Sequence, residues 1–225
     1  MKILLITLFL STHLFSQNKA SYTVKLLQNN GIEKGEVGYL YTNSKQKANS
    51  FSYTLLFSNE RANFFIEENL NLDNTDFISI KMFSRYKGYV ISDSVFNYIE
   101  KNIGTKKNTL KTPRNKDWEL SNESKIIQNF TCYKATSKEI VKNSKGDFEY
   151  VITAWYCPQI PYQFGPNGFG GLPGLIFELQ FDTALYGLTN LTLNDSKIKI
   201  DEVDPNKIIT EEEFNKKMQE IRKNY

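Results

Sequence analysis

Short segments that alternate apolar and polar residues, rich in β-branched and aromatic side chains, recur along this chain and constrain its fold more than any other feature. Alternation puts every second side chain on one face of a strand. Runs of this kind bounded by turn residues read as strands, here near 20–27, 50–58, 62–68, 77–83, 88–92, 125–136, 147–157, 174–182, 186–193 and 197–203. Short polar turns such as Ser58-Asn59-Glu60-Arg61 join most successive pairs, and connections that short link antiparallel neighbours. The expected architecture is mainly β: a curved antiparallel sheet or half-barrel with a C-terminal helix.

Helical periodicity is clear only at the end of the chain. Thr210 precedes Glu211, Glu212 and Glu213, which reads as a capping box in which Thr210 and Glu213 satisfy free N–H groups of the first turn. Phe214, Met218, Ile221 and Tyr225 then share one stripe. Acids at the start and cations at the finish suit the helix dipole. Such a stripe packs on a sheet or serves as a free interaction surface.

The first 16 residues carry one cation at Lys2, an apolar run from Ile3 to Leu10, and small or polar residues before Gln17. This is the layout of a cleavable secretory signal; the apolar run is far shorter than the roughly 20 residues that span a bilayer. Residues 17–225 are then expected as a single β-rich domain, exported to the periplasm or secreted, and soluble, because no cysteine near the junction offers a lipidation site. The net charge of +3 is too small for a nucleic-acid footprint. The sole histidine, His13, leaves with the leader. Without it, histidine-based nucleophile systems and histidine-ligated zinc cannot be built, and no cofactor or metal is expected.

Residues 101–116 carry six cations and no acid. The run reads as a solvated connector between two strand groups, with contact to an anionic partner as the functional alternative. Asp73-Asn74-Thr75-Asp76 lacks the spacing of a calcium loop and reads as a polar turn.

Cys132 and Cys157 lie in the two segments flanking Asn143-Ser144-Lys145-Gly146, a strong turn signal. If Ser144 and Lys145 are the turn centre, residue 143 faces 146 and, eleven rungs on, Cys132 faces Cys157. Directly opposed Cβ atoms come within about 4.5–5.5 Å, so a disulfide is expected in an exported protein. A three-residue turn would shift that register by one. The alternative, a reactive thiol, has no histidine to activate it.

Five of the 12 glycines and four of the 6 prolines fall between 158 and 174. Glycine permits positive φ and proline fixes φ, so this segment specifies a shaped loop between two strands. No Gly-Lys-Ser/Thr follows it, which excludes a Walker phosphate loop. Within it, Gly171-Leu-Pro-Gly-Leu-Ile176 resembles the signature of the GLPGLI family of exported bacterial proteins, known mostly from the Bacteroidetes. Trp155-Tyr156, Ile160-Pro161, Gly165-Pro166, Trp118-Glu119 and Tyr133-Lys134-Ala135 are also similar to the family pattern, giving a core of resemblance over 118–179. The resemblance implies an exported location and a fold like that of lipoprotein carriers, and no established activity.

Two readings of the loop remain open. It folds over the sheet as architecture, or Trp155, Tyr156, Tyr162, Phe164 and Phe169, with Leu172 and Pro173, form an exposed platform for a ligand or partner. Together these features favour a non-enzymatic cell-envelope protein that binds an apolar ligand or a partner protein. The alternative is a carboxylate-dependent hydrolase or glycan-acting enzyme, which needs two acids about 5–9.5 Å apart. Its candidates are Glu178 with Asp182, about 13 Å apart along a strand, or Asp195, Asp201, Glu202 and Asp204, which read as strand ends and a turn.

Overall fold

The computed structural model describes residues 17–28, 35–67, 74–114, 117–143, 146–195 and 197–223. The leader at 1–16, Asp73, the turn centre at 144–145 and Tyr225 lie outside these residues. The strand Asn18–Leu26 (β1) is the axis of the fold. Its side chains alternate in burial, with Ala20, Tyr22, Val24 and Leu26 inside. On one flank runs a meander of Ser52–Phe57 (β2), Ala62–Ile66 (β3), Val90–Ser92 (β4), Phe96–Ile103 (β5) and Lys106–Pro113 (β6). On the other runs Glu119–Ile127 (β7), Phe130–Asn143 (β8), Gly146–Cys157 (β9), Leu175–Phe181 (β10) and Ala184–Thr192 (β11). β1 pairs antiparallel with both β2 and β11, joining the meanders into one curved, unclosed twelve-strand sheet. The twelfth strand, Ile208–Ile209 (β12), is the one parallel member and lies beside β6. β7 and β12 are the rims of the sheet; β7 is mostly exposed along its length.

The inner face is filled by side chains. Tyr22, Tyr53, Phe64 and Tyr186 are all at 0–1% exposure, with Tyr53 stacked on Phe64 at 5.9 Å and edge-on to Tyr186 at 5.1 Å. Buried phenols need partners. The Tyr22 hydroxyl donates to the Ile176 carbonyl at 2.7 Å, Tyr186 to the Ser84 carbonyl at 2.9 Å, and Tyr53 to Ser84 Oγ at 3.2 Å. Burial holds all three hydroxyls far above the usual phenol range.

Two helices cross this face, where the sequence offered a strand and no helix. Gly35–Lys47 (α1) buries Gly38, Tyr41 and Ser44, and Asn74–Phe83 (α2) buries Asp76, Ser79, Ile80 and Phe83. The expected strand at 77–83 is therefore helical: the buried positions recur every three or four residues, a helical period. A short apolar run does not by itself distinguish the two states. The helices hold each other through Tyr41 edge-on to Phe83 at 4.9 Å, Ser44 Oγ to Ser79 Oγ at 2.9 Å, and Asp76, which accepts from Asn43 at 2.7 Å and pairs with Lys47 at 2.5 Å.

Three further segments differ from expectation. The described part of the cationic run, 101–114, is mostly hairpin: Gly104, at φ +60°, turns β5 into β6, and Ile99 faces Leu110 across it. The expected strand at 125–136 is two strands, broken by Gln128 and Asn129, both at positive φ, as a tight hairpin turn requires. The expected strand at 197–203 has no ladder partner; residues in it are tethered by the Tyr89 hydroxyl donating to Asp201 and by Arg61 to Glu202 at 3.4 Å. The C-terminal helix forms as Glu211–Lys223 (α3) with both bonds of the capping box, Thr210 N–H to Glu213 at 2.8 Å and Glu213 N–H to Thr210 Oγ1 at 3.2 Å. Its stripe of Phe214, Met218 and Ile221 is half-buried.

Candidate functional site

The loop from 158 to 174 does not hang free. The Ile160 carbonyl accepts from Tyr162 and Leu175, the Gln163 carbonyl from Gly171, and the Phe164 carbonyl from Ile176, all between 2.8 and 3.0 Å. Gly174 sits at φ +157° where a Cβ would collide with the Cys157 carbonyl, so glycine is required there. Asn167, at φ +58° and fully buried, ties the loop to the segment after α2. Its Oδ1 accepts from the Lys87 N–H at 3.0 Å, and its Nδ2 donates to the Arg85 carbonyl at 2.9 Å and the Tyr186 hydroxyl at 3.3 Å.

Arg114 ties the loop to the β5–β6 hairpin. It is 5% exposed, donates to the Asp93 carbonyl at 2.7 Å and to the Gln163 carbonyl, and lies 4.7 Å over the Phe164 ring. Its Nε is buried and has no hydrogen-bond partner. Burial pushes its guanidinium down to about 10 against the opposing pull of Asp93.

Between the β5–β6 hairpin, the loop and β8 lies a cleft of about 660 Å³. Its walls carry Lys87, Asn97, Lys101, Arg114, Glu139 and Phe169. Lys87 pairs with Glu139 at 3.2 Å and lies 4.4 Å over the Phe169 ring. Lys101 Nζ donates to the Lys87 carbonyl at 2.9 Å; burial, with Lys87 nearby, holds its amine below the ordinary lysine value. No ion pair of Lys101 is seen among the described residues. Ile99, Leu110, Pro113 and Ile140 also line it, so charged groups and apolar surface share its walls.

The residues singled out from the sequence do not assemble into one platform. Neighbours in a strand point to opposite faces, and Trp155 and Tyr156 obey this. Trp155 is half-buried under Lys125, whose amine lies 4.3 Å from its ring and 2.6 Å from Glu178. Tyr156, Phe164, Phe169 and Leu172 are at most 6% exposed and belong to the core. Tyr162 is half-buried, edge-on to Phe57 at 4.9 Å, and Pro173 is exposed. The architectural reading of the loop describes these contacts; the exposed-platform reading fails because most of the rings are spent on packing.

The acids considered for catalysis have separate structural partners. Glu178 serves Lys125 and Asp182 serves Arg85 at 2.5 Å. Asp195 and Asp204 accept backbone N–H groups of Lys197 at 2.9 Å and Asn206 at 3.0 Å. Cys132 and Cys157 are buried free thiols. The hairpin ladder pairs Asn143 with Gly146 and continues to Tyr133 with Tyr156, so the cysteines occupy the next rung. Burial and the adjacent Cys157 push the Cys132 thiol up to about 12.

Lys87, Lys101, Glu139 and Asn167 were not singled out from the sequence. One signal for Lys101 was present: it continues the inward alternation of Asn97 and Ile99 on β5. The others are joined only by tertiary packing.

Among known proteins, residues 142–178 match a family described as a protein of unknown function, Porph_ging. This stretch runs from the end of β8 through the loop into β10. No curated protein matches. Two solved structures are similar in fold, titled as PNGF-II in the C2 and P21 space groups. They are 12% and 11% identical with TM-scores of 0.52 and 0.49, and each covers 91% of this chain. The chain spans 33% of the length of those structures. At 12% identity and a TM-score of 0.52 the likeness of the first concerns the fold alone, while the stretch that carries the loop is similar in sequence to a family of unknown function.

Proposed function

We propose that this chain is an exported, non-enzymatic protein of the cell envelope, of the GLPGLI kind, that binds an acidic segment of a partner protein in the cleft between the β5–β6 hairpin and β8. The observation that carries this reading is the contrast between the two concavities. The inner face of the sheet is occupied by Tyr22, Tyr53, Phe64 and Tyr186, whereas the cleft is open and sets the charges of Lys87, Lys101, Arg114 and Glu139 among Ile99, Leu110 and Ile140. A carrier of apolar ligands needs an apolar cavity; a charged cleft suits a charged segment. Export is supported by the leader-like residues 1–16, and among the described residues no helix is long and apolar enough to cross a membrane.

Native mass spectrometry separates the ligand classes. The purified protein is incubated with envelope lipid extract in one arm and with an acetylated tetraglutamate peptide in the other. Peptide adducts without lipid adducts are expected. Lipid adducts without peptide adducts overturn the reading.

A further inference from the structure

Within that cleft, and resting on the reading above, we infer that the Lys87–Lys101 end is a carboxylate subsite, the place where one acidic side chain of the partner docks. The argument begins with β5. Asn97, Ile99 and Lys101 alternate onto the inner face, and Asn97 and Ile99 are buried. The third position thus carries an ammonium inward, where an apolar residue would extend the core. Lys101 reaches the Lys87 backbone carbonyl at 2.9 Å, so the two lysines converge on one corner of the cleft.

Charge at this corner is unbalanced. Glu139 neutralises Lys87 at 3.2 Å, and Lys101 has a neutral carbonyl. The other charges on the cleft walls are engaged or lie elsewhere. Arg114 is held at the opposite end by the Asp93 and Gln163 carbonyls, with the Asp93 carboxylate as its counter-charge; Lys138 pairs with Glu149 at 2.9 Å, and Asp117 lies beside Thr136 and Lys138. Glu211 lies beyond the Ile209–Leu110 rung, on the side away from the Asn108 rung that faces Lys101. One positive charge is left, which a single carboxylate balances; a phosphate dianion would overshoot it. The Phe169 ring lies 4.4 Å beneath Lys87 and Lys101 is half-buried, and electrostatic attraction strengthens away from bulk water. The depressed amine of Lys101 fits a cation that lacks a counter-charge.

The acetylated tetraglutamate peptide, titrated into isotope-labelled protein and followed by NMR, tests the subsite. Saturable shifts of the Lys101, Gly168 and Phe169 amides are expected, with none from a tetraglutamine peptide. Lys101→Met should weaken binding tenfold or more and Lys101→Arg should retain it, while Lys106→Met, at an exposed position of the same hairpin, should leave it unchanged. If Lys101→Met binds as tightly as Lys106→Met, the subsite is overturned and the cleft reading stands. If the peptide shifts residues outside the cleft alone, both fall. Inorganic phosphate displacing the peptide at lower concentration than glutarate overturns the assignment to a carboxylate.

Discussion

Two hairpins face each other across the cleft and are rooted very differently. The β8–β9 hairpin, 14 and 12 residues long, buries Ala135, Ser137, Ile152 and Ala154 nearly completely and runs straight into the anchored loop. The β5–β6 hairpin, 8 and 8 residues long, buries Asn97, Ile99 and Leu110 at 6–8% and then extends into a lysine-rich tip. Local stability follows buried contact, so openings of low free energy belong to shallowly rooted elements. One wall of the cleft is thus fixed and the other adjustable, and the loop joins them through Cys157 on one side and Arg114 on the other.

The comparison can be broken most forcefully at the loop. Gly174→Ala places a methyl group against the Cys157 carbonyl at a positive φ, and should cost about 3 kcal/mol or more. Urea unfolding reads this out, and a loss under about 1 kcal/mol would mean that the loop is not fixed to β9. The deep root should also gain from a bridge. The Cys132–Cys157 disulfide expected from the hairpin register is proposed for the exported protein, and closing it is worth about 3 kcal/mol. Protein purified without reductant should show no thiols on denaturation and lose stability when reduced; two titratable thiols would rule the bridge out.

A smaller effect sharpens the asymmetry. Ile152→Ala in β9, at 0% exposure, should cost about 3 kcal/mol, and Ile99→Ala in β5, at 7%, about 2 kcal/mol. Equal losses would erase the distinction between the walls. The smallest effect is pH-dependent. Burial raises the Asp93 carboxyl, but the N–H groups of Phe96 and Val95, the Tyr98 hydroxyl and Arg114 outweigh it and hold the group below its ordinary 3.8. A depressed carboxyl contributes stability that is fully present above its unfolded value and is lost as pH falls through the folded one. Asp93→Asn should therefore cost less than about 1 kcal/mol at neutral pH and nothing in strong acid. A cost that persists in acid would assign the effect to shape.

The same asymmetry decides how much was legible in the sequence. The register of the β8–β9 hairpin could be read because Asn143 and Gly146 bound its turn, although the expected strand at 125–136 ran across the Gln128–Asn129 turn and stopped short of the end of β8. The α3 cap was equally local: Thr210 and Glu213 find each other within one turn. The β5–β6 hairpin was hidden because its cations outnumber the few residues it buries. α1 was hidden because its buried face is Gly38, Tyr41 and Ser44, which carry little apolar signal. The cleft was hidden for another reason. Lys87, Lys101 and Glu139 come from three elements, and no spacing along the chain encodes a meeting that the curvature of the sheet creates.

The two rims of that sheet have unequal consequences at high concentration. β12, two residues long, presents too few free backbone groups to recruit another strand. β7 presents nine residues, a row of open donors and acceptors able to seed strand exchange between molecules. Glu119, Glu123 and Lys125 along it, and the break in register between Leu120 and Ser124, oppose a straight incoming strand. Self-association of this protein, when it occurs, should therefore begin at β7 and be resisted by charge and by kink rather than by cover.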